Sequence, residues 1–202
     1  GLYQKNKIPN IPIFIDSPMA CNATEVFRLH PECFDRETNR LFMQDSDDPF
    51  GFGRLTYVRE AKKSKELNSL HIPHIIISAS GMAEGGRILH HLRNNVANPN
   101  NLILFVGYAA AHTLARRLMD GHKKVRIFGE EHHVRAEVKT LADFSAHADQ
   151  KELLNYLKFQ TPEKLKNIFL VHGEEEQALP LKELLTQEGY TGIEFPESGD
   201  SF

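Results

Sequence analysis

The 202-residue sequence predicts an α/β protein in which helices flank a parallel β-sheet. Short, nearly all-apolar runs of strand length recur up to about residue 128, and amphipathic stretches of helix length separate them. Strands that are apolar along their whole length are typical of parallel sheets covered on both faces, because each side chain then meets a helix rather than water. The alternation of the two kinds of segment therefore indicates the α/β class.

The predicted elements follow one another in order up to residue 128. Five apolar runs are interpreted as strands, at 11–15, 55–58, 74–78, 102–106 and 124–128. Five amphipathic stretches are interpreted as helices, at 23–29, 37–44, 60–70, 86–95 and 113–119. Residues 45–53 combine acidic residues with Pro and Gly, which predicts a polar surface loop.

The pattern changes after Gly129. Residues 132–139 alternate in polarity, which is typical of a half-exposed strand at an edge or in a connection. Asp149 and Glu152 have the spacing of a capping box, so a helix is predicted to begin there. The remaining predicted elements are a strand at 168–171, a helix at 175–187 and a strand near 193–195. We therefore expect a subdomain boundary near residue 140.

Composition limits the class of protein. The 24 basic and 27 acidic side chains give a net charge of −3, which is typical of a globular protein and mildly unfavourable for an RNA binder. Two cysteines, Cys21 and Cys33, exclude a disulfide framework and a Cys-rich zinc finger. No apolar run approaches the length of a membrane helix, and the first residues lack the hydrophobic region of a signal peptide. We expect a cytoplasmic protein without a membrane partner.

A glycine-rich segment, SASGMAEGGR at 78–87, follows the predicted strand at 74–78 and opens a helix. Such a turn presents backbone N–H groups to an anion at the edge of the sheet where α/β proteins bind ligands. The segment lacks G-x-G-x-x-G, and it departs from a Walker A loop because Arg87 and Ile88 replace the Lys and the Ser/Thr. Phosphate binding and a purely structural tight turn both stay open, and an ATP-binding domain is a weaker alternative.

Two histidines are candidates for chemistry. His147 lies in DFSAHAD, just before a predicted helix, where an imidazole is suited to proton transfer near neutral pH or is simply exposed. His172 lies at the carboxyl end of a predicted strand and is followed by Gly173, a position that suits a zinc ligand. Zinc needs three or four ligands, and no neighbour in the sequence supplies them. By contrast, His90 and His91 are expected to be half-exposed on their helix.

Five segments together resemble the second half of a β-CASP nuclease of the metallo-β-lactamase superfamily. They occur in a consistent order over nearly the whole chain: IPIFIDSPMACNATEVFRLH, HIIISASGMAEGGRILHHL, LILFVGYAAAHTLARRLMDG, DFSAHADQKELLNYL and IFLVHGEEE. The resemblance implies that residues 1–141 form most of a Rossmann-like β-CASP domain. It implies that residues 142–202 are an αβ segment that completes the metallo-β-lactamase fold.

The resemblance also implies roles for individual residues. The family's SAH motif places His147 beside a zinc centre, as a general acid or as a stabiliser of the scissile phosphate. The LVHGE motif makes His172 a zinc ligand. The glycine-rich segment matches one that lines the cleft between the two domains, so six of its residues are candidates for contact with RNA phosphates: Ser80, Gly81, Met82, Gly85, Gly86 and Arg87.

The sequence departs from the family in one respect. The main zinc motif, H-x-H-x-D-H, is absent from these 202 residues. We therefore expect a missing N-terminal half of the same chain, a parent protein with two zinc ions, and a fragment that neither retains zinc nor cleaves RNA. RNA is the expected partner, and a homodimer stays open. The competing hypothesis is a non-catalytic subunit that binds RNA or scaffolds a processing complex.

Overall fold

A computed structural model describes residues 7, 9–44, 53–141 and 148–201. Its contacts divide the chain into two compact units, residues 1–145 and 146–202, called here the first and the second unit. Within the described ranges, no helix is both long and apolar enough to cross a membrane.

The first unit begins with a three-stranded parallel sheet. Its strands are β1 (Ile13–Asp16), β2 (Leu55–Tyr57) and β3 (Ile75–Ser78), in the order β2-β1-β3. Three helices lie between these strands in the sequence: α1 (Pro18–Leu29), α2 (Arg36–Gln44) and α3 (Ala61–Leu67). These elements confirm the predicted α/β class with parallel strands, whereas the predicted loop at 45–53 falls largely outside the described residues.

Helix α1 begins five residues earlier than the predicted start at residue 23. The Ser17 hydroxyl caps it by accepting a hydrogen bond of 3.3 Å from the N–H of Ala20. Pro18 occupies the first helical position, where its missing N–H removes no intrahelical bond. The Ser-Pro pair is thus the true start signal, and apolar spacing alone misses it.

The rest of the first unit pairs its strands in two separate ways. Its elements are α4 (Ile88–Asn95), β4 (Leu102–Phe105), α5 (Leu114–Met119), β5 (Lys124–Ile127), β6 (Glu130–His133) and β7 (Glu137–Thr140). Strands β5 and β6 form an antiparallel hairpin, whereas β7 pairs parallel with β4. The prediction of one strand over 132–139 is therefore wrong. The N–H groups of Arg135 and Ala136 both donate to the carbonyl of Val96, at 2.9 and 3.0 Å, and this contact separates β6 from β7.

The core of the first unit lies on one face of β4. Ile103 and Phe105 pack against buried residues of α4 and α5, such as Leu92 and Leu118. The alternate residues of the strand, Leu102 and Leu104, are about half exposed, at 54% and 48%. Strand β3 likewise exposes Ile75 and Ile77. Within the described residues, the expectation that these apolar strands are covered on both faces is therefore not met, because the core helices cover one face of β4.

The second unit contains α6 (Gln150–Leu157), β8 (Ile168–Phe169), α7 (Glu175–Gln187) and β9 (Ile193–Glu194). Strands β8 and β9 pair in parallel. The predicted capping box is confirmed: the Asp149 carboxylate accepts from the N–H of Glu152 at 2.8 Å, and the Glu152 carboxylate accepts from the N–H of Asp149 at 3.0 Å. A small core of Leu185, Tyr190 and Ile193 holds the unit together.

Candidate functional site

A buried carboxylate lies at the carboxyl end of β1. Asp16 is completely buried, and three side chains donate to it. Arg87 Nη1 lies 2.5 Å from Oδ1, while the Ser64 hydroxyl and His91 Nε2 each lie 2.6 Å from Oδ2. Because these donors come from α3 and from the start of α4, one carboxylate joins three elements of the first unit.

Helical spacing explains why two donors reach the same carboxylate. Arg87 and His91 are four residues apart, so their side chains lie on the same face of the helical segment. Arg87 also donates to the carbonyl oxygens of Val58 and Arg59, at 2.8 and 2.6 Å. The guanidinium therefore fixes the end of β2 as well as the end of β1.

The same contacts set the ionisation of Asp16. Burial by itself raises the pKa of a carboxyl group, but the hydrogen bonds from Ser64, His91 and Arg87, together with the Arg87 charge, outweigh it and lower the pKa of Asp16 below its usual value. The carboxylate is thus held ionised inside the fold, where Arg87 balances its charge. The expectation that His91 is half-exposed is wrong, since the residue is 5% exposed and its ring turns inward to Asp16.

The predicted phosphate-binding segment is a tight turn between β3 and α4. The Ser80 hydroxyl and the Ser80 N–H both donate to the carbonyl of Gly85, at 3.3 and 3.2 Å. Gly86 has a φ of 83°, and a Cβ added there would lie 2.5 Å from the carbonyl oxygen of Ala79. A side chain cannot be accommodated at Gly86, so this glycine has the structural role that the sequence left open.

The other candidate residues of the glycine-rich segment differ in their burial and in their contacts within the fold. The Met82 sulfur accepts from the N–H of Ala110 at 3.2 Å, and the Met82 carbonyl accepts from the N–H of Ala115 at 3.1 Å, so Met82 is engaged within the fold. Ser80 and Gly81 are exposed, whereas Gly85 is partly buried. Arg87 is committed to Asp16 and to two backbone carbonyls, and any phosphate contact by Arg87 has to coexist with these bonds. Phosphate binding by the segment stays a prediction.

His172 is the predicted zinc ligand and lies three residues after the end of β8. It is exposed and has a φ of 61°, a left-handed conformation that is uncommon for a residue with a side chain. No group of three or more His, Cys, Asp or Glu side chains that could hold a metal occurs among the described residues. The described residues therefore do not form a zinc site by themselves, and zinc ligation by His172 stays a prediction. His147 lies outside the described residues, so its catalytic role stays a prediction.

The sequence reasoning missed Asp16 and Ser64. One signal was present for Asp16: an acidic residue directly follows the apolar run IPIFI, where burial is expected and a partner is then required. Ser64 carried no comparable signal, because a serine within a charged helix is usually exposed.

Comparisons with known proteins identify the family. The model described as the Beta-Casp domain matches residues 1–118, and the model described as the Zn-dependent metallo-hydrolase RNA specificity domain matches residues 131–196. A ribonuclease of Thermus thermophilus is 39% identical over 184 residues, which cover 91% of this chain and 41% of that protein.

Archaeal relatives are similar over much of the same region. Transcription termination factor FttA of Pyrococcus horikoshii is 32% identical over 176 residues, and that of Methanosarcina mazei is 28% identical over 183 residues. These alignments cover 85% and 88% of this chain, but only 27% and 28% of the two factors. The chain thus spans less than half the length of these relatives, and the Beta-Casp match covers more than half of the chain. The chain belongs to the Beta-Casp family.

Proposed function

We propose that the complete protein carrying this chain is a zinc-dependent ribonuclease that hydrolyses RNA phosphodiester bonds. The observation that carries the proposal is the match of residues 131–196 to the domain described as the Zn-dependent metallo-hydrolase RNA specificity domain. The similarity to a Thermus ribonuclease over 91% of the chain supports it. Residues 1–141 then form most of the β-CASP domain, and residues 142–202 complete the catalytic fold.

In this proposal His172 supplies one zinc ligand, and the other ligands lie outside these 202 residues. The exposed imidazole after β8 supports the assignment, because an exposed ring nitrogen can reach a metal. His147 is the proposed general acid or stabiliser of the scissile phosphate. The exposed turn at Ser80 and Gly81 is the proposed contact with the RNA backbone. The isolated chain is expected to be inactive, since it lacks most of the ligand set.

The test uses the complete protein and three histidine variants. His172→Ala is expected to lose bound zinc and RNA cleavage together. His147→Ala is expected to retain zinc, with turnover lowered by about 100-fold or more, the usual range for a general acid. His122→Ala is the matched control, because His122 is an exposed imidazole in the turn after α5 and should change neither property. If His172→Ala keeps its zinc and its cleavage rate, the ligand assignment is wrong.

A second candidate is a non-catalytic RNA-binding factor. The observation that favours it is that seven of the relatives are named transcription termination factors. Zinc-loaded complete protein that binds a labelled transcript without shortening it would favour this candidate. Cleavage that disappears in His172→Ala would favour the ribonuclease.

A further inference from the structure

The tip of the β5–β6 hairpin carries an aromatic residue in an unfavourable backbone conformation. Phe128 and Gly129 connect the two strands with φ values of 53° and 81°, as in a type I′ turn. Such turns favour Asn, Asp or Gly at the first position, and a bulky residue with positive φ is strained. The turn itself therefore gives no reason for an aromatic ring at this position, and a contact of the ring is the explanation to look for.

Part of that contact lies within the fold. The Phe128 ring packs against the ring of His90 on α4, with 4.8 Å between the ring centroids and 40° between the planes. Nevertheless, Phe128 remains 49% exposed. The His90 contact positions the ring at the surface without covering it, so a second flat group has room to stack there.

A cavity of about 250 Å³ opens beside this ring. Apolar side chains, among them Leu89, Leu114 and Ile127, line it together with Phe128. Arg117, Arg126 and Glu84 supply its charged lining. The volume lies below the usual range for drug-sized ligands, so the cavity has room for a small group rather than for a large molecule.

The charges around the cavity favour an anionic ligand. Glu84 accepts from the N–H of Leu114 and also faces Arg117 at 3.8 Å, so partners within the fold offset its charge. Arg126 lies opposite Glu131 on the hairpin and its charge acts on that carboxylate, but Glu131 also binds the Lys124 ammonium at 2.7 Å, so two cations share one carboxylate. The exposed Arg126 guanidinium is therefore the cation best placed for an incoming phosphate.

We propose that this hairpin tip binds one nucleotide of single-stranded RNA, with the base against the exposed side of Phe128 and a phosphate on Arg126. The choice of RNA as ligand rests on the proposed function, whereas the site itself does not involve His147 or His172. Aromatic rings combined with cationic side chains are the usual means by which proteins hold single strands without reading their sequence. We call this surface the Phe128 platform.

The test measures binding of a fluorescein-labelled ten-nucleotide single-stranded RNA to the complete protein by fluorescence anisotropy. Phe128→Asn is expected to weaken binding about tenfold, within the range that one base–aromatic stack contributes. The same change should leave the thermal midpoint unchanged or higher, because Asn suits the type I′ turn. Phe128→Tyr should restore binding. If the platform only fastens the hairpin to α4, Phe128→Asn lowers the midpoint and leaves RNA binding unchanged, which overturns the proposal.

Charge and ligand class are tested in parallel. Arg126→Ala is expected to weaken binding about threefold and to flatten its salt dependence, because one phosphate contact is lost. Arg116→Ala is the matched control: it removes the same charge from α5, but its guanidinium binds Asp120 at 2.9 Å. Free UMP should compete only at far higher concentration than the RNA. Equal competition by UMP would overturn the assignment to RNA, and equal effects of the two arginine variants would overturn the phosphate contact at Arg126.

The outcome is separable from that of the proposed function. Cleavage of RNA by the unaltered protein tests the ribonuclease, whereas the ratio of RNA affinities between the unaltered protein and Phe128→Asn tests the platform. Loss of affinity in a protein that never cleaves RNA supports the platform and contradicts the ribonuclease. Unchanged affinity in a protein that cleaves RNA does the reverse.

Discussion

Two polar residues at the ends of strands behave in opposite ways. Asp16 ends β1 in the first unit, and His172 closely follows β8 in the second. Both positions are those at which α/β proteins usually bind ligands. However, Asp16 is completely buried and receives hydrogen bonds from three side chains, whereas His172 is exposed.

The difference shows that position at a strand end is insufficient to identify a functional residue. The deciding factor is whether neighbouring elements satisfy the polar group internally. The Asp16 carboxylate accepts hydrogen bonds from Ser64, Arg87 and His91, so it connects elements of the fold. His172 keeps an exposed imidazole, so its chemistry is available to a ligand.

The largest expected effect comes from removing the buried carboxylate. Asp16→Ala leaves the Ser64, Arg87 and His91 donors without their shared acceptor, and it should lower the free energy of unfolding by about 3–5 kcal/mol. His172→Ala should change the same quantity by less than about 0.5 kcal/mol, as for most exposed residues. Urea denaturation of the 202-residue chain measures both. Equal losses of unfolding free energy in Asp16→Ala and His172→Ala would contradict the conclusion that Asp16, and not His172, holds the fold together.

A smaller effect is expected at the turn that follows β3. Gly86→Ala places a Cβ against the Ala79 carbonyl at positive φ and should lower the free energy of unfolding by about 2 kcal/mol or more. Gly81→Ala is the matched control, because a Cβ there meets no atom within 4 Å. The control should stay within about 0.5 kcal/mol of the unaltered chain. Urea denaturation that gives similar losses for both would show that the turn is not fixed at Gly86.

The smallest expected effect is a dependence of stability on acid pH. Because the folded chain lowers the pKa of Asp16, the stabilisation is fully present above the pKa of the unfolded carboxyl, about 3.9, and is lost as pH falls towards the lowered pKa. Protonation leaves the carboxyl group of Asp16 in place between its partners, whereas Asp16→Ala removes it. The loss of stability at acid pH should therefore be smaller than that of Asp16→Ala. Urea denaturation between pH 5 and 3 compares the unaltered chain with Asp16→Asn. Other carboxylates, such as Glu131, titrate in both proteins, so the difference between the two slopes reports Asp16. An unchanged slope in Asp16→Asn would show that Asp16 is not the titrating group.

Local patterns predicted most of the fold. Apolar runs located β3, β4 and β5 within about one residue, and the Asp149–Glu152 spacing located the start of α6. One error was local, since the Ser17-Pro18 start of α1 was missed, whereas the error at 132–139 came from a contact between distant residues. The division of 132–139 into two strands depends on the Val96 carbonyl, about forty residues earlier, which no local period can show.

The candidate site was less predictable than the fold. The glycine turn was found because Gly86 has to bend the backbone next to a strand, and this leaves a trace in the sequence. The role of Arg87 was not found, because whether a guanidinium binds a phosphate or a buried carboxylate depends on what the fold brings to it. The Phe128 platform likewise depends on the φ of one residue and on its contact with His90, and neither can be read from polarity.

The turn after β3 has a consequence for how new variants can arise. Its shape is fixed at Gly86 and by backbone hydrogen bonds, whereas a Cβ at Gly81 or Gly85 would meet no atom within 4 Å. A gene library that places Ala or Ser at these two codons should therefore change the chemistry of the turn while the fold stays intact. In an evolving lineage the same two positions can accept new side chains one at a time. Gly86 thus sets the shape of the turn, while Gly81 and Gly85 can change its binding preference.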